Sequence, residues 1–277
     1  MFLHDDLAGS PPPSVQTHKK PSFKEKVVAV IPVFGRHPLL KHTIQRLLHK
    51  NGCSAVICVG EEADRSTCIE AGALFYYKDN KYLGEKWNHA FRKAKDLNPD
   101  AVLFVGSSDW LSDNWLPTML PHLSSNYLIG KAGCYFLDIA TNFPANYSNL
   151  RKKRHSPNYR LVYWPGYKFG SIPDDARRDD ESIGIGRLIS RKGLEYIDWK
   201  PFHNQLNASL DHSMYRNFKN NHKIIYDPNI KALSISTDLW PNKHIFESHW
   251  SNLYPSKRIE DPHGFCRQWF PEYNKIV

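Results

Sequence analysis

VVAVIPVFGR, residues 27–36, decides the fold. Positions 27–34 form a short, nearly continuous apolar run rich in β-branched residues and closed by Gly35, the pattern of a parallel strand buried on both faces. A parallel strand needs a crossover to reach its neighbour, and the next segment supplies one. In HPLLKHTIQRLLHKNG (37–52), Leu40, Ile44, Leu47 and Leu48 share one helical face, and Asn51-Gly52 provides the stop. The cycle then repeats. SAVICVG (54–60) reads as a second strand, 63–72 as a short helix, ALFYY (73–77) as a third strand and AVLFVG (101–106) as a fourth. Between the last two, a helix over 84–97 buries Trp87, Ala90, Phe91, Ala94 and Leu97 at helical spacing. This alternation predicts an α/β fold, a mainly parallel sheet flanked by helices, with ligands bound beyond the carboxyl ends of the strands. Those ends carry Pro32-Val33-Phe34-Gly35-Arg36, Glu61-Glu62, Asp79-Asn80-Lys81 and Ser107-Ser108-Asp109.

The rest of the chain is read outward from this core. Its 277 residues are enough for one large domain or two small ones. Residues 1–24 (MFLHDDLAGSPPPSVQTHKKPSFK) read as a disordered tail, acidic where a signal peptide is basic, and 25–277 as one domain. No apolar run approaches the roughly 20 residues of a bilayer span, so any membrane contact is expected to be peripheral. Five cysteines, with no CxxC pair, argue against a disulfide framework and against structural zinc, and favour a reducing, cytoplasmic setting. The formal charge of +9 points to an anionic partner such as a phosphate ester, nucleic acid or lipid headgroup, with solubility as the plainer alternative.

Past about residue 125 the period weakens. A helix is expected over 110–123, a strand over 133–139, renewed regularity over 185–197, a helix over 210–221 and strands at HKIIYDP (222–228) and IKALSIS (230–236). The aromatic, basic stretch 147–169 takes no clear assignment.

Several familiar chemistries are excluded. A dinucleotide site needs G-x-G-x-x-G directly after its first strand, whereas this strand ends in Pro-Val-Phe-Gly-Arg. Gly184-Ile185-Gly186 lacks the third glycine and follows no clear strand. P-loop and G-x-S-x-G motifs are also absent.

Four segments in order carry a resemblance. IPVFGR (31–36), NKYLGEKWNHAFRKA (80–94), VGSSDWLSDNW (105–115) and LDHSMYRNFKNNHKIIYDP (210–228) resemble the successive motifs of the GT-A glycosyltransferases, most closely the family 2-like inverting enzymes. ESIGIGRLISRKGLEYIDW (181–199) is similar to the acceptor-side segment of phage-encoded and other viral members. The resemblance implies a GT-A (Rossmann-like) single domain, with a nucleotide-sugar-binding half at 25–125 and an acceptor-binding half at 126–277. It also implies a nucleotide-sugar donor, UDP-glucose by family default, and transfer of the sugar to an acceptor hydroxyl.

The resemblance also distributes roles. Asp211 becomes the base that takes the acceptor proton as its oxygen attacks opposite the leaving diphosphate. Asp109 becomes an anchor for Mn²⁺ or Mg²⁺, which an oxygen ligand and the phosphates can share. The motif is thin, Ser107-Ser108-Asp109 standing where many members carry two or three acids, which puts metal dependence in doubt. His244, in PNKHIF, is the candidate second metal ligand. Pro32, Phe34 and Arg36 are assigned to the donor, Glu61 to its base with Glu62 or Asp64 as substitutes, and Lys86, Asn88 and Ser108 to ribose or phosphate. Trp87 is expected in the core. The plainer alternatives are helix caps at Asp109 and Asp211 and a solvated carboxylate at Glu61.

On the acceptor side, Arg151-Lys152-Lys153-Arg154-His155 precedes Tyr159, Tyr163, Trp164 and Tyr167. Cations mixed with aromatics suit phosphate contact and base stacking, and equally a sugar-binding loop. Arg154 and Trp164 are therefore substrate-side candidates. A hydroxymethylated pyrimidine in DNA is one acceptor this composition fits, and a glycan, lipid-linked sugar or protein side chain is another. A non-catalytic nucleic-acid-binding protein on a degenerate transferase fold is the reading from a different class.

Overall fold

The computed structural model describes residues 21–139, 160–166, 181–236 and 257–275. Strand β1 (Val27–Pro32) lies inside a seven-stranded sheet, parallel to β2 (Ala55–Gly60) on one side and β4 (Ala101–Phe104) on the other. β3 (Leu74–Tyr77) extends the sheet beyond β2. The crossovers are α1 (His37–His49), α2 (Arg65–Glu70) and α3 (Leu83–Lys95), as the periodicity predicts. Past β4 the order continues through β9 (Arg187–Ser190), β6 (Leu128–Lys131) and β10 (His222–Ile225). Only β9 among these seven is antiparallel to its neighbours.

The continuous apolar run of β1 reflects two cores. Ala29, Ile31 and Val33 face the α1 side with Leu40, Ile44 and Leu47, whereas Val28 and Val30 face the other side with Trp87, Phe91 and Phe104. Trp87 stacks on Phe104 with ring centroids 3.8 Å apart, confirming it as core.

A second, five-stranded sheet runs in the order β12 (Lys257–Ile259), β8 (Arg160–Trp164), β7 (Cys134–Asp138), β11 (Ala232–Ser236), β5 (Asp109–Leu111). β5 corrects the expected helix over 110–123. Asp109, Trp110 and Leu111 pair antiparallel with Ser234, Leu233 and Ala232, and the helix forms only as α4 (Trp115–Met119), followed by a 3₁₀ turn at Leu120–His122. Trp110 is withdrawn from the helix because its ring is buried against Phe270 and its Nε1 donates to Thr43 Oγ1 at 3.2 Å. The remaining helices are α5 (Arg191–Tyr196), α6 (Leu210–Phe218) and α7 (Pro262–Trp269).

Arg46 of α1 joins the first half of the chain to its end. Its guanidinium is buried, bonds Leu111 O at 2.9 Å and Asp113 Oδ1 at 2.6 Å, pairs with Glu272 and packs over Phe270. Such a cation has many partners to satisfy at once, which suits the guanidinium fork. Phe23 already packs on the α1-side core, so ordered packing begins before β1. All five cysteines are free and buried. Among the described residues no helix is long and apolar enough to cross a membrane.

Candidate active site

The carboxyl ends of β1, β2, β3 and β4 lie along one edge, as their common direction requires. At the end of β1, Gly35 and Arg36 both adopt left-handed backbone conformations, with φ 61° and 60°. For arginine this costs about 1–2 kcal/mol, so the surrounding structure must hold it there. Arg36 Nη1 donates to Ser108 Oγ at 3.1 Å. Burial lowers the Arg36 pKa, opposed by the charge of Asp109. Phe34, two residues earlier, is 53% exposed, a large apolar ring presented at the edge where ligands bind such sheets.

The end of β4 turns sharply around Asp109. Its carboxylate accepts the Gly106 N–H at 2.9 Å, and a Cβ on Gly106 would stand 2.5 Å from Oδ2, which only glycine avoids. Burial pushes the Asp109 carboxyl above the usual carboxylate range; hydrogen bonds from Ser234 and Gly106 and the Arg36 charge oppose this, and Asp211 adds to it. Asp109 is thus a turn and strand residue rather than a helix cap. Ser108 is buried, with its carbonyl accepting from Ile235 N–H at 3.0 Å.

Asp211 enters from the first turn of α6. Its carboxylate lies directly against Gly184, where a Cβ would be 2.2 Å from Oδ1. The charge of Asp211 acts on Asp109, though 102 residues separate them in sequence.

The three acids after β2 divide by environment. Glu62 pairs with Arg65 at the surface; Asp64 is buried, bonded to His37 Nε2 at 2.8 Å and to the Glu61 N–H at 3.1 Å. Glu61 remains exposed at the strand end.

Three residues expected at the substrate have partners within the fold. Asn88 is buried, and its amide is spent on the loop after α5: Nδ2 donates to Phe202 O at 2.7 Å and to Asn204 Oδ1 at 2.8 Å, while Oδ1 accepts from Phe202 N–H at 3.1 Å. Lys86 is buried too and donates to Val33 O and Asn80 Oδ1, bracing the end of β1 against the loop before α3 instead of reaching outward. Burial brings its pKa down to about 8 despite the nearby acids Asp64, Glu61 and Asp79. Trp164 is 8% exposed and joins the α1-side core beside Phe136, so its ring is packing surface. Arg154 and His244 lie outside the described residues.

The segment 181–187, which the resemblance assigns to the acceptor side, also packs against Asp211, a contact the sequence does not announce. Arg187 and Glu181, whose side chains are both 0% exposed, form a buried ion pair at 3.3 Å, and Glu181 also meets His212 Nδ1 at 3.1 Å. Their spacing in the sequence carries no recognisable motif, although the glycines at 184 and 186 mark the place.

For a divalent cation, Asp109 is the expected ligand that falls among the described residues. Among the described residues no three His, Cys, Asp or Glu side chains converge to hold a metal. Asp109 nevertheless offers a hard oxygen whose charged form is disfavoured by burial and by Asp211, a condition that a nearby cation would relieve.

Fold and edge together define an open α/β protein with Arg36 and Asp109 at the carboxyl ends of its central strands. No protein-family model matches the chain, and no curated protein matches it. Among solved structures it is similar to the mannosyltransferase PcManGT from Pyrobaculum calidifontis in complex with GDP-Man and Mn²⁺, at 12% identity, TM-score 0.48, over 78% of this chain and 59% of that one. It is similar to S. aureus TarS 1–349 in complex with UDP, at 13% identity, TM-score 0.48, over 76% of this chain and 60% of that one. A third is glucosyl-3-phosphoglycerate synthase from Mycobacterium tuberculosis in complex with Mn²⁺, UDP and phosphoglyceric acid, at 12% identity, TM-score 0.41, over 73% of this chain and 69% of that one. The chain thus spans about three fifths of the length of the first two.

Proposed function

We propose that this chain is a nucleotide-sugar-dependent glycosyltransferase of the GT-A type, acting by inverting displacement. What supports the reading is the carboxyl end of β4, where Asp109 follows Ser108, Ser108 accepts from Arg36 at 3.1 Å, and the charges of Arg36 and Asp211 both act on Asp109. Arg36, held in an unfavourable backbone conformation beside Ser108, supplies a cation for the donor diphosphate. Phe34 offers a face for the nucleobase and Glu61 an acceptor for its N–H groups. Asp211 takes the proton of the acceptor hydroxyl, whose oxygen forms the new bond to the anomeric carbon as the bond to the diphosphate breaks. Asp109 would hold Mn²⁺ or Mg²⁺, which when bound supplies neutralisation of the leaving diphosphate.

The donor is proposed to be a UDP-sugar, glucose first. The acceptor hydroxyl is tested rather than assumed. Nucleoside diphosphate release is measured for a panel of sugar nucleotides, with and without Mn²⁺, with plain DNA, hydroxymethylated DNA, oligosaccharide or no acceptor. Release that requires hydroxymethylated DNA names both donor and acceptor; release independent of DNA keeps the transferase and assigns another acceptor. No release under any condition removes the reading.

Arg36→Gly gives a narrower check. Glycine relieves the left-handed strain but adds freedom to the unfolded chain, two effects of about 1 kcal/mol that oppose each other. The melting temperature is expected to stay nearly constant while affinity for the nucleoside diphosphate, followed by calorimetry, falls about tenfold or more for the lost charged bond. Unchanged affinity would take Arg36 out of the donor site.

A further inference from the structure

Asp211 lies on the first turn of a nine-residue helix, and something must fix where its carboxylate points. The helix start gives little help: Ser209, at the cap position, is left-handed and makes no side-chain cap bond. The segment 181–187 takes that part instead. At one end, Gly186 N–H donates to Phe104 O at 2.9 Å, and Trp115 Nε1 donates to Gly186 O at 3.0 Å, tying the segment to β4 just before the Asp109 turn. From the next residue, Arg187 Nη1 donates to the Asp211 carbonyl at 2.6 Å, while Nε bonds Ile183 O at 3.0 Å and Nη2 bonds Ser182 O at 2.5 Å. One fully buried guanidinium thereby holds main-chain oxygens of the segment and of α6 together. Only arginine has donors in enough fixed directions to do this.

Within that frame Gly184 faces the Asp211 carboxylate. A Cβ there would meet Oδ1 at 2.2 Å and Cγ and Oδ2 at 2.7 Å, and these three atoms are its nearest neighbours. The Gly184 backbone is not in the left-handed region, so alanine is conformationally admissible and the missing methyl serves the carboxylate alone.

We infer that residues 181–187 form a positioning strap for Asp211, in which Arg187 fixes the backbone carrying the carboxylate and Gly184 sets how closely that carboxylate approaches β4. The inference rests on the glycosyltransferase reading for its catalytic meaning, but the positioning itself is measurable without turnover.

Gly184→Ala is made in the wild-type and Asp211→Ala backgrounds, with Arg187→Lys beside it. Displacing a reacting group by about 1 Å costs on the order of 100-fold, so Gly184→Ala is expected to lower kcat by about that factor with the KM for sugar nucleotide within about twofold of wild type. Arg187→Lys, which keeps charge and loses the fork, is expected to show the same split. A merely structural role would change melting temperature without separating kcat from KM. In the melting series, Gly184→Ala is expected to lower Tm in the wild-type background and not in Asp211→Ala, where the crowded carboxylate is gone. Full turnover in Gly184→Ala, or an equal Tm change in both backgrounds, overturns the inference. Should the wild-type protein release no nucleoside diphosphate, the glycosyltransferase reading fails, and the two-background Tm comparison still decides the positioning. If Arg187→Lys fails to fold, the Gly184 series stands by itself.

Discussion

Asp211→Asn is expected to lower kcat for sugar transfer by about 10²–10⁴-fold, the range for losing a positioned general base. The amide keeps the size of the carboxylate, and the Arg187 bond goes to the Asp211 carbonyl, so the helix start is left as it was. Donor affinity is therefore expected to hold, because nothing that touches the diphosphate has changed. The check is turnover at saturating donor and acceptor, beside nucleotide affinity and melting temperature. A variant that keeps more than about a tenth of wild-type turnover removes Asp211 as the base. One that loses turnover and nucleotide affinity together makes it a donor-site residue instead.

Residues 27–106 are legible because their physics is local. The apolar run of β1, the 3.6-residue stripe of α1 and the stop at Asn51-Gly52 each report a structural role within a few residues. The edge where strands end follows from parallelism alone, so Arg36, Glu61 and Asp109 were placeable before any coordinates. What the sequence left hidden depends on long-range partners. Asp109–Leu111 resembles the start of a helix until β11, more than a hundred residues on, is seen to pair with it. Asn88 and Lys86 carry the polar chemistry of ligand contacts, and only the positions of Phe202, Asn204, Val33 and Asn80 reveal them as braces.

The strap around Arg187 shows the same limit from the other side. Gly184-Ile185-Gly186 stands out in the sequence, where the missing third glycine argues against a dinucleotide role. Its actual constraint, the close approach of a carboxylate from another helix, leaves no periodicity to read. Charge composition was equally mute: the buried Arg187–Glu181 pair adds nothing to the net charge that defines the outer surface.

Asp109→Asn is expected to separate activity from stability in opposite directions. Burial, with the Asp211 charge behind it, holds the Asp109 carboxyl above the ordinary carboxylate range. The folded protein then binds this proton more tightly than the unfolded chain does. Stability from this group is full at pH values below the ordinary carboxylate range, and is lost as pH rises from there through the raised folded value. At neutral pH the native state therefore carries the cost of ionising a partly buried carboxyl. The neutral amide removes it and can still accept the Gly106 N–H. The melting temperature of Asp109→Asn is accordingly expected to exceed that of wild type at pH 7, with the difference closing as the solution is acidified below the ordinary carboxylate range. Activity is expected to fall by about 10²–10³-fold, because the charge that would hold the divalent cation beside the diphosphate is gone. In the wild-type enzyme, turnover should decline on the acid side as Asp109 takes up its proton, while Tm does not decline for that reason. A destabilising charge retained where ligands bind is a mark of function, since packing alone would favour the amide. If Asp109→Asn melts lower than wild type at pH 7, the carboxylate is serving the β4 turn and the β5–β11 pairing, and its assignment to the donor is lost with that result.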